Sequence, residues 1–304
     1  MFDCEHCELE LDPGKRVRFL RMLDDAFGAQ MEVVAVLEMG SFAKAEAVPA
    51  SDIDTRVYVR GSSELPMNVL HKGDVQVGLE AFQQQADAPR VQKYDWWTFN
   101  EPSYRRISDE LGRSISFGFI DTRYASFLFN RLDAYPTPEH SMLFQSNVLY
   151  DPREFVEGWR TRLEKRVFPS LVKLYEDQAR RRANRRLGQH LGPAPYDDLK
   201  LQDSGQVQWV AQAVRCVREA VGARTYAENG CFTFRRPEVL AYVRKHFPGT
   251  AELVEILYAW KCDPNERETI RREFVTGSSS VYARFQELTP RVQAVVECIL
   301  GDSH

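Results

Sequence analysis

Val33–Val59 reads VVAVLEMGSFAKAEAVPASDIDTRVYV, and the fold turns on it. Met31–Met39 (MEVVAVLEM) is a β-branched, apolar run of strand length, closed by Gly40-Ser41. A short helix-like piece over Phe42–Val48 leads through Pro49 to Asp52–Arg60 (DIDTRVYVR). That second run alternates, which puts Asp52, Asp54, Arg56 and Tyr58 on one face of a strand and Ile53, Val57 and Val59 on the other.

Each piece suits a polyanion. Gly40 has no side chain to keep a backbone away from a phosphate. Ser41 adds a hydroxyl, and a helix starting after it aims free N–H groups at the same anion. Asp52 and Asp54, two apart on a strand, have Cα atoms roughly 7 Å apart on one face. Carboxylates so placed can share two divalent cations held about 3.5–4 Å apart. Oxygen-only ligands favour Mg²⁺ or Mn²⁺ over zinc.

An apolar strand, Gly40-Ser41, a short connection, then Asp52-Ile53-Asp54 in a strand resembles the DNA polymerase beta-like nucleotidyltransferase superfamily. With the catalytic part first and a helical part after, the order is similar to the aminoglycoside nucleotidyltransferase-like branch. Val214–Lys261 is loosely similar to that branch's helical domain. The resemblance implies an α/β (α+β) nucleotidyltransferase domain with a mixed sheet, followed by an all-helical C-terminal domain, with nucleotide and acceptor between them. It implies Mg²⁺- or Mn²⁺-dependent transfer of an NMP from an NTP, ATP being the expected one, to a hydroxyl-bearing acceptor, with pyrophosphate released. Gly40 and Ser41 then bind phosphate, and Asp52 and Asp54 hold the metals. The family's third acid belongs on a later strand, matched here by Ile115–Ile120, where Ser116 stands in its place. Asp121 completes the set only if a bulge re-aims it, since it has the opposite parity to Ser116. Glu80 is the other candidate.

Working outward, Val17, Leu20, Leu23 and Phe27 recur at helical spacing before the first strand. Asp74–Phe82 and Ile115–Asp121 read as further strands, Tyr124–Leu132 as a helix and Val148–Pro152 as a turn. Beyond that the pattern is helical: Trp159, Leu163, Val167, Leu171 and Leu174, then Val207, Val210, Val214 and Val217, then Leu253, Ile256, Leu257 and Trp260. The expected division is a catalytic domain over 1–150 and a helical domain over 151–304, as 304 residues suggest.

Composition sets limits. Lys+Arg 40 against Asp+Glu 44 gives a net charge of −4, which rules out a strongly basic protein held to nucleic acid by bulk charge. No run approaches the roughly 18 apolar residues of a membrane span. The stretch MFDCEHCELELDPG lacks the marks of a secretory signal. Six scattered cysteines read as reduced thiols, so a cytoplasmic setting is expected.

Weaker signals weigh toward structure. Cys4, His6 and Cys7 lack the further pair a structural zinc needs. Glu38, inside the first strand, either faces inward to a partner or outward from an edge. Tyr94, Trp96, Trp97, Phe99 and Tyr104 read as core or interdomain contact before they read as a base-binding wall. His140, His190 and His246 form no triad. Ala179–Arg186 (ARRRANRR) reads as a solvated helix face before a phosphate contact. Lys173 and Arg180, two turns apart on one face, are the place to look for phosphate binding from the second domain. The acceptor reading is a small molecule such as an aminoglycoside-like compound, suited to a mildly acidic protein. The alternatives are a toxin-like enzyme acting on tRNA, and a non-catalytic nucleotide-binding regulator.

Overall fold

The computed structural model describes residues 13–27, 31–47, 51, 53–61, 64–67, 81–82, 84, 90–93, 109, 112, 115–189, 207–276 and 279–301. They belong to two compact units, Met1–Lys44 with Ser51–Glu164, and Ala45–Ala50 with Lys165–His304. The first unit therefore continues past residue 150, and the second takes in six residues from between the Gly-Ser turn and the aspartates.

In the first unit, helix α1 (Pro13–Phe27) precedes strand β1 (Met31–Met39), and the single turn α2 (Gly40–Ala43) separates it from β2 (Ile53–Gly61). Strands β3 (Glu64–Met67) and β4 (Arg90–Lys93) pair with each other in parallel. Strand β5 (Ile115–Asp121) leads into α3 (Thr122–Phe129), followed by α4 (Pro138–Gln145), β6 (Asn147–Tyr150) and α5 (Phe155–Leu163). The main sheet has the order β5-β2-β1-β6 and is mixed, with β1 antiparallel to β2 and β6, and β2 parallel to β5.

Burial explains the sequence pattern of β1. Val34, Ala35, Val36 and Leu37 are all essentially inaccessible, because a central strand covered on both faces has no polar side to alternate with. One face carries Ala35, Leu37, Arg56 and Tyr58, and Tyr58 meets Phe155 of α5 with ring centroids 5.1 Å apart. The other carries Thr55, Val57 and Phe117, and Phe19 of α1 stacks on Phe117 at 6.2 Å.

Three local readings change. Ala81 and Phe82, expected at the end of a strand, are helical, while Asp74–Glu80 lie outside the described residues. The expected turn at Val148–Pro152 begins as strand β6. The expected helix Phe42–Val48 is one turn starting at Gly40, after which Ala45 takes a left-handed φ of 54°.

The second unit is helical: α6 (Pro169–Arg181), continued by a π turn at Arg182–Arg186 and by Leu187–Gln189, then α7 (Gln208–Asn229), α8 (Arg236–His246), α9 (Pro248–Cys262), α10 (Pro264–Val275) and α11 (Ser279–Leu300). Helix α7 is buried nearly all round and packs against α6, α9 and α11, as an apolar-rich helix at the centre of a bundle must. Trp209 of α7 is wholly buried, stacks on Phe285 at 4.4 Å and donates its indole N–H to Thr289 Oγ1 at 3.1 Å. Thr289→Val strands that N–H in the core and is expected to cost about 1–3 kcal/mol in urea denaturation, with Thr289→Ser close to wild type. An equal loss in both variants would assign the effect to packing. Among the described residues, no helix is long and apolar enough to cross a membrane. Their cysteines, Cys216, Cys231, Cys262 and Cys298, are all free.

Candidate functional site

Gly40 follows β1 directly, and its φ of +67° is left-handed, a conformation that costs an L side chain about 1–2 kcal/mol. Space demands glycine as well. A Cβ on Gly40 would lie 1.9 Å from Asp54 Oδ2, 2.8 Å from its Cγ and 2.9 Å from its Cβ. The Asp54 carboxylate thus occupies the place where any other residue's side chain would be. Asp54 is the second residue of β2, opposite Met39 on one side and Ser116 on the other. Antiparallel pairing of β1 with β2 brings the Gly-Ser turn and the acid to one end of the sheet. Ser41 is half-buried in α2, and its neighbours Phe42 and Ala43 anchor the turn in the core.

Asp52 lies outside the described residues. Among the described residues no group of three or more His, Cys, Asp or Glu is arranged to hold a metal ion. In kind, the donor described here, the Asp54 carboxylate against Gly40, suits a hard divalent cation.

Asp121 is not brought to this site. It pairs with Val59, five positions along β5 from Ser116, hence roughly 17 Å away at about 3.3 Å per residue. The strand runs without a bulge between them, so Asp121 keeps the opposite face. Its buried carboxylate caps α3, accepting from the Arg123 backbone N–H at 2.7 Å and pairing with the Arg123 guanidinium at 2.7 Å. The position opposite Asp54 belongs to Ser116. Glu80 lies outside the described residues, as do Cys4, His6, Cys7, His190 and the aromatic stretch Tyr94–Tyr104.

Two residues further into the sheet, Arg56 shares the face of Asp54. It pairs with Glu139 of α4 at 2.5 Å and donates to Met142 Sδ at 3.2 Å. Gly118 makes room for it, since a Cβ there would lie 2.4 Å from Arg56 Nη1. Burial, with the Glu139 carboxylate beside it, pushes the Tyr58 phenol up, so this wall of the sheet is neutral apart from the closed ion pair. Glu38 is buried on the opposite face from Asp54 and accepts from Asn147 Nδ2 at 2.9 Å. His140 is wholly buried, and burial holds its imidazole down to about 3, where it is neutral at physiological pH.

Lys173 is exposed on α6 of the second unit. Arg180 pairs with Glu297 at 3.1 Å and Glu176 at 3.4 Å, and Arg182 pairs with Glu219 at 2.7 Å. The arginine run is therefore balanced in part by acids, as the solvated-face reading expects.

The residues that sequence reasoning missed lie within the second unit. Glu46, only 2 % exposed, accepts from Arg218 Nη1 at 2.5 and 2.6 Å and from Lys261 Nζ. Burial alone pushes its carboxyl up, but the charges of Arg218 and Lys261 outweigh this and hold it well below the ordinary carboxylate range. Glu46 is thus held among the helices of its own unit by a buried ion triad. The sequence carried one hint: Arg218 and Lys261 fall within helical stretches rich in apolar residues, and a buried cation needs an acid.

Compared with protein-family models and with curated proteins, the chain matches none.

Proposed function

We propose that this protein is a divalent-metal-dependent nucleotidyltransferase, moving an NMP from an NTP to a hydroxyl-bearing small molecule. One observation carries the reading: Gly40, left-handed and without room for a side chain, is built against the carboxylate of Asp54. A glycine turn at a strand end and a carboxylate able to hold a hard cation stand side by side, as the chemistry requires. In this reading Gly40 and Ser41 receive the phosphates, and Asp52 and Asp54 hold Mg²⁺ or Mn²⁺. When bound, such a metal supplies charge neutralisation of the triphosphate and activation of the acceptor hydroxyl. The aspartates bind and orient; Arg56, committed to Glu139, keeps the floor of the site fixed.

A second reading, a nucleotide-binding protein without turnover, is favoured by Ser116 standing opposite Asp54 while Asp121 is engaged in capping α3. Without a third carboxylate the proton of the acceptor must leave to another base.

The test is calorimetric titration of ATP, CTP, GTP and UTP with and without Mg²⁺, together with pyrophosphate release, on wild type and Asp54→Asn. The expected result is Mg²⁺-dependent binding of at least one NTP that Asp54→Asn loses while its melting temperature stays unchanged. Binding with no pyrophosphate release in the presence of varied hydroxyl acceptors selects the second reading. Binding that Asp54→Asn retains at full strength overturns both.

A further inference from the structure

Among the described residues, several cations of the second unit gather around two carboxylates. Arg182 reaches from the π turn to α7, where it donates to both oxygens of Glu219, at 2.9 and 2.7 Å, and to Gln212 Oε1 at 3.3 Å. Gln212, Arg215 and Glu219 stand three, four and seven apart, on one stripe of α7. Arg182 therefore spans the stripe from which Arg215 emerges. Arg218, one turn on, shares Glu46 with Lys261. Among the described residues, four cations (Arg182, Arg215, Arg218 and Lys261) thus stand near two carboxylates, Glu46 and Glu219. Among the described residues no acid forms an ion pair with Arg215.

This arrangement works against itself unless something anionic completes it. Arg215 is half-buried, and burial together with Arg182 and Arg218 pushes its guanidinium down to about 10, so at neutral pH it stays charged against its neighbours. Like charges gathered out of water are costly when no counter-charge is present. A second feature lies beside Arg218. Tyr258, 1 % exposed and within electrostatic reach of Glu46 and Arg218, has a buried hydroxyl with no hydrogen-bond partner. Burial pushes that phenol up, so it remains a donor. The π turn that carries Arg182 is an irregularity of the kind that collects at functional positions.

We propose that Arg215, flanked by Arg182 and Arg218, forms a binding site in the helical unit for a phosphate-type oxyanion. Guanidinium forks match phosphate oxygens in pairs, which lysines do not, and three of the four cations here are arginines. The site lies in the helical unit and does not depend on the nucleotidyltransferase reading. The anion belongs either to a polyphosphate chain or to a phosphorylated second substrate.

The experiment is calorimetric titration of inorganic pyrophosphate, in low salt without divalent cations, into the full chain as wild type, Asp54→Asn and Arg215→Gln. Wild type and Asp54→Asn are expected to bind one pyrophosphate alike. Arg215→Gln should bind about 10–100-fold more weakly, the effect of one lost charge-assisted contact. Its denaturation midpoint should be equal to or above wild type, because like-charge repulsion is relieved. If Arg215→Gln does not fold, Arg215→Lys is read instead, with weakened binding expected from loss of the fork. Displacement of pyrophosphate by metal-free ATP assigns the anion to a polyphosphate chain; retention assigns it to a phosphorylated second substrate. No saturable binding to wild type, or equal binding after substitution of Arg215, overturns the proposal.

Discussion

Glu46→Ala is expected to destabilise the protein by about 3–5 kcal/mol in urea denaturation, the usual cost of removing one partner from a buried ion pair. Here the remaining groups are Arg218 and Lys261, two buried cations that share the Glu46 carboxylate. Glu46→Gln, which keeps the shape and removes the charge, should lose nearly as much. The triple variant Glu46→Leu, Arg218→Met, Lys261→Met should recover a large part of the loss, since an apolar replacement strands no charge. The sign of the pH dependence follows from the direction of the shift. Glu46 is held below its ordinary value of 4.5 in the folded protein, so its contribution is present above that pH and is lost as pH falls through the folded value. The gap between wild type and Glu46→Gln should therefore narrow on acidification. A gap that widens, or a single variant within about 0.5 kcal/mol of wild type, would remove the triad from the account of stability.

Gly40→Ala is the second large effect. The left-handed φ costs about 1–2 kcal/mol for alanine, and displacing the Asp54 side chain adds about 1–3 kcal/mol of overpacking. The total, roughly 2–5 kcal/mol, should come with loss of any nucleotide binding, because Asp54 must move. The clash has one named partner, so a double-mutant cycle isolates it. In an Asp54→Gly background the added methyl meets open space, and Gly40→Ala should cost only the backbone part. A coupling of about 1–3 kcal/mol is expected from denaturation of the four proteins. Additive losses would mean that the two residues are not in contact.

Both effects bear on what could be read from the chain. Strands β1, β2 and β5 were legible because Val34–Leu37, Val57–Val59 and Ile115–Ile120 are apolar, β-branched or aromatic runs bounded by turn residues. Strand β6 was not: four residues with an exposed Asn147 leave no room for a period to declare itself. The stretch FAKAEAV has the composition of a helix, yet the helix stops at Ala43. Tertiary structure overrides propensity there, as Glu46 is drawn to partners 172 and 215 positions away. Nothing local marks that acid as buried. Arg56 and Glu139 escaped notice for the same reason, being 83 positions apart. The Gly40–Asp54 juxtaposition was the readable part of the site, because one antiparallel hairpin-like pairing creates it. The fate of Asp121 was half readable: its parity was visible, its engagement with Arg123 was not.

The six residues 45–50 give the chain an unusual modularity. By sequence the helical half looks like a cassette that could be exchanged or expressed alone from residue 165 onward. By structure it is incomplete, because its central acid is encoded more than a hundred residues upstream, between two stretches of the other unit. A cut at 164/165 sends Glu46 away with the wrong fragment and leaves Arg218 and Lys261 facing an empty socket. Recombination that respects this fold has to carry the loop along with the helices, so homologous exchange of either half has to proceed as an interleaved graft. The same interlock makes the severed helical fragment a natural acceptor for a short acidic peptide spanning the loop, in the manner of a split protein restored by its missing plug.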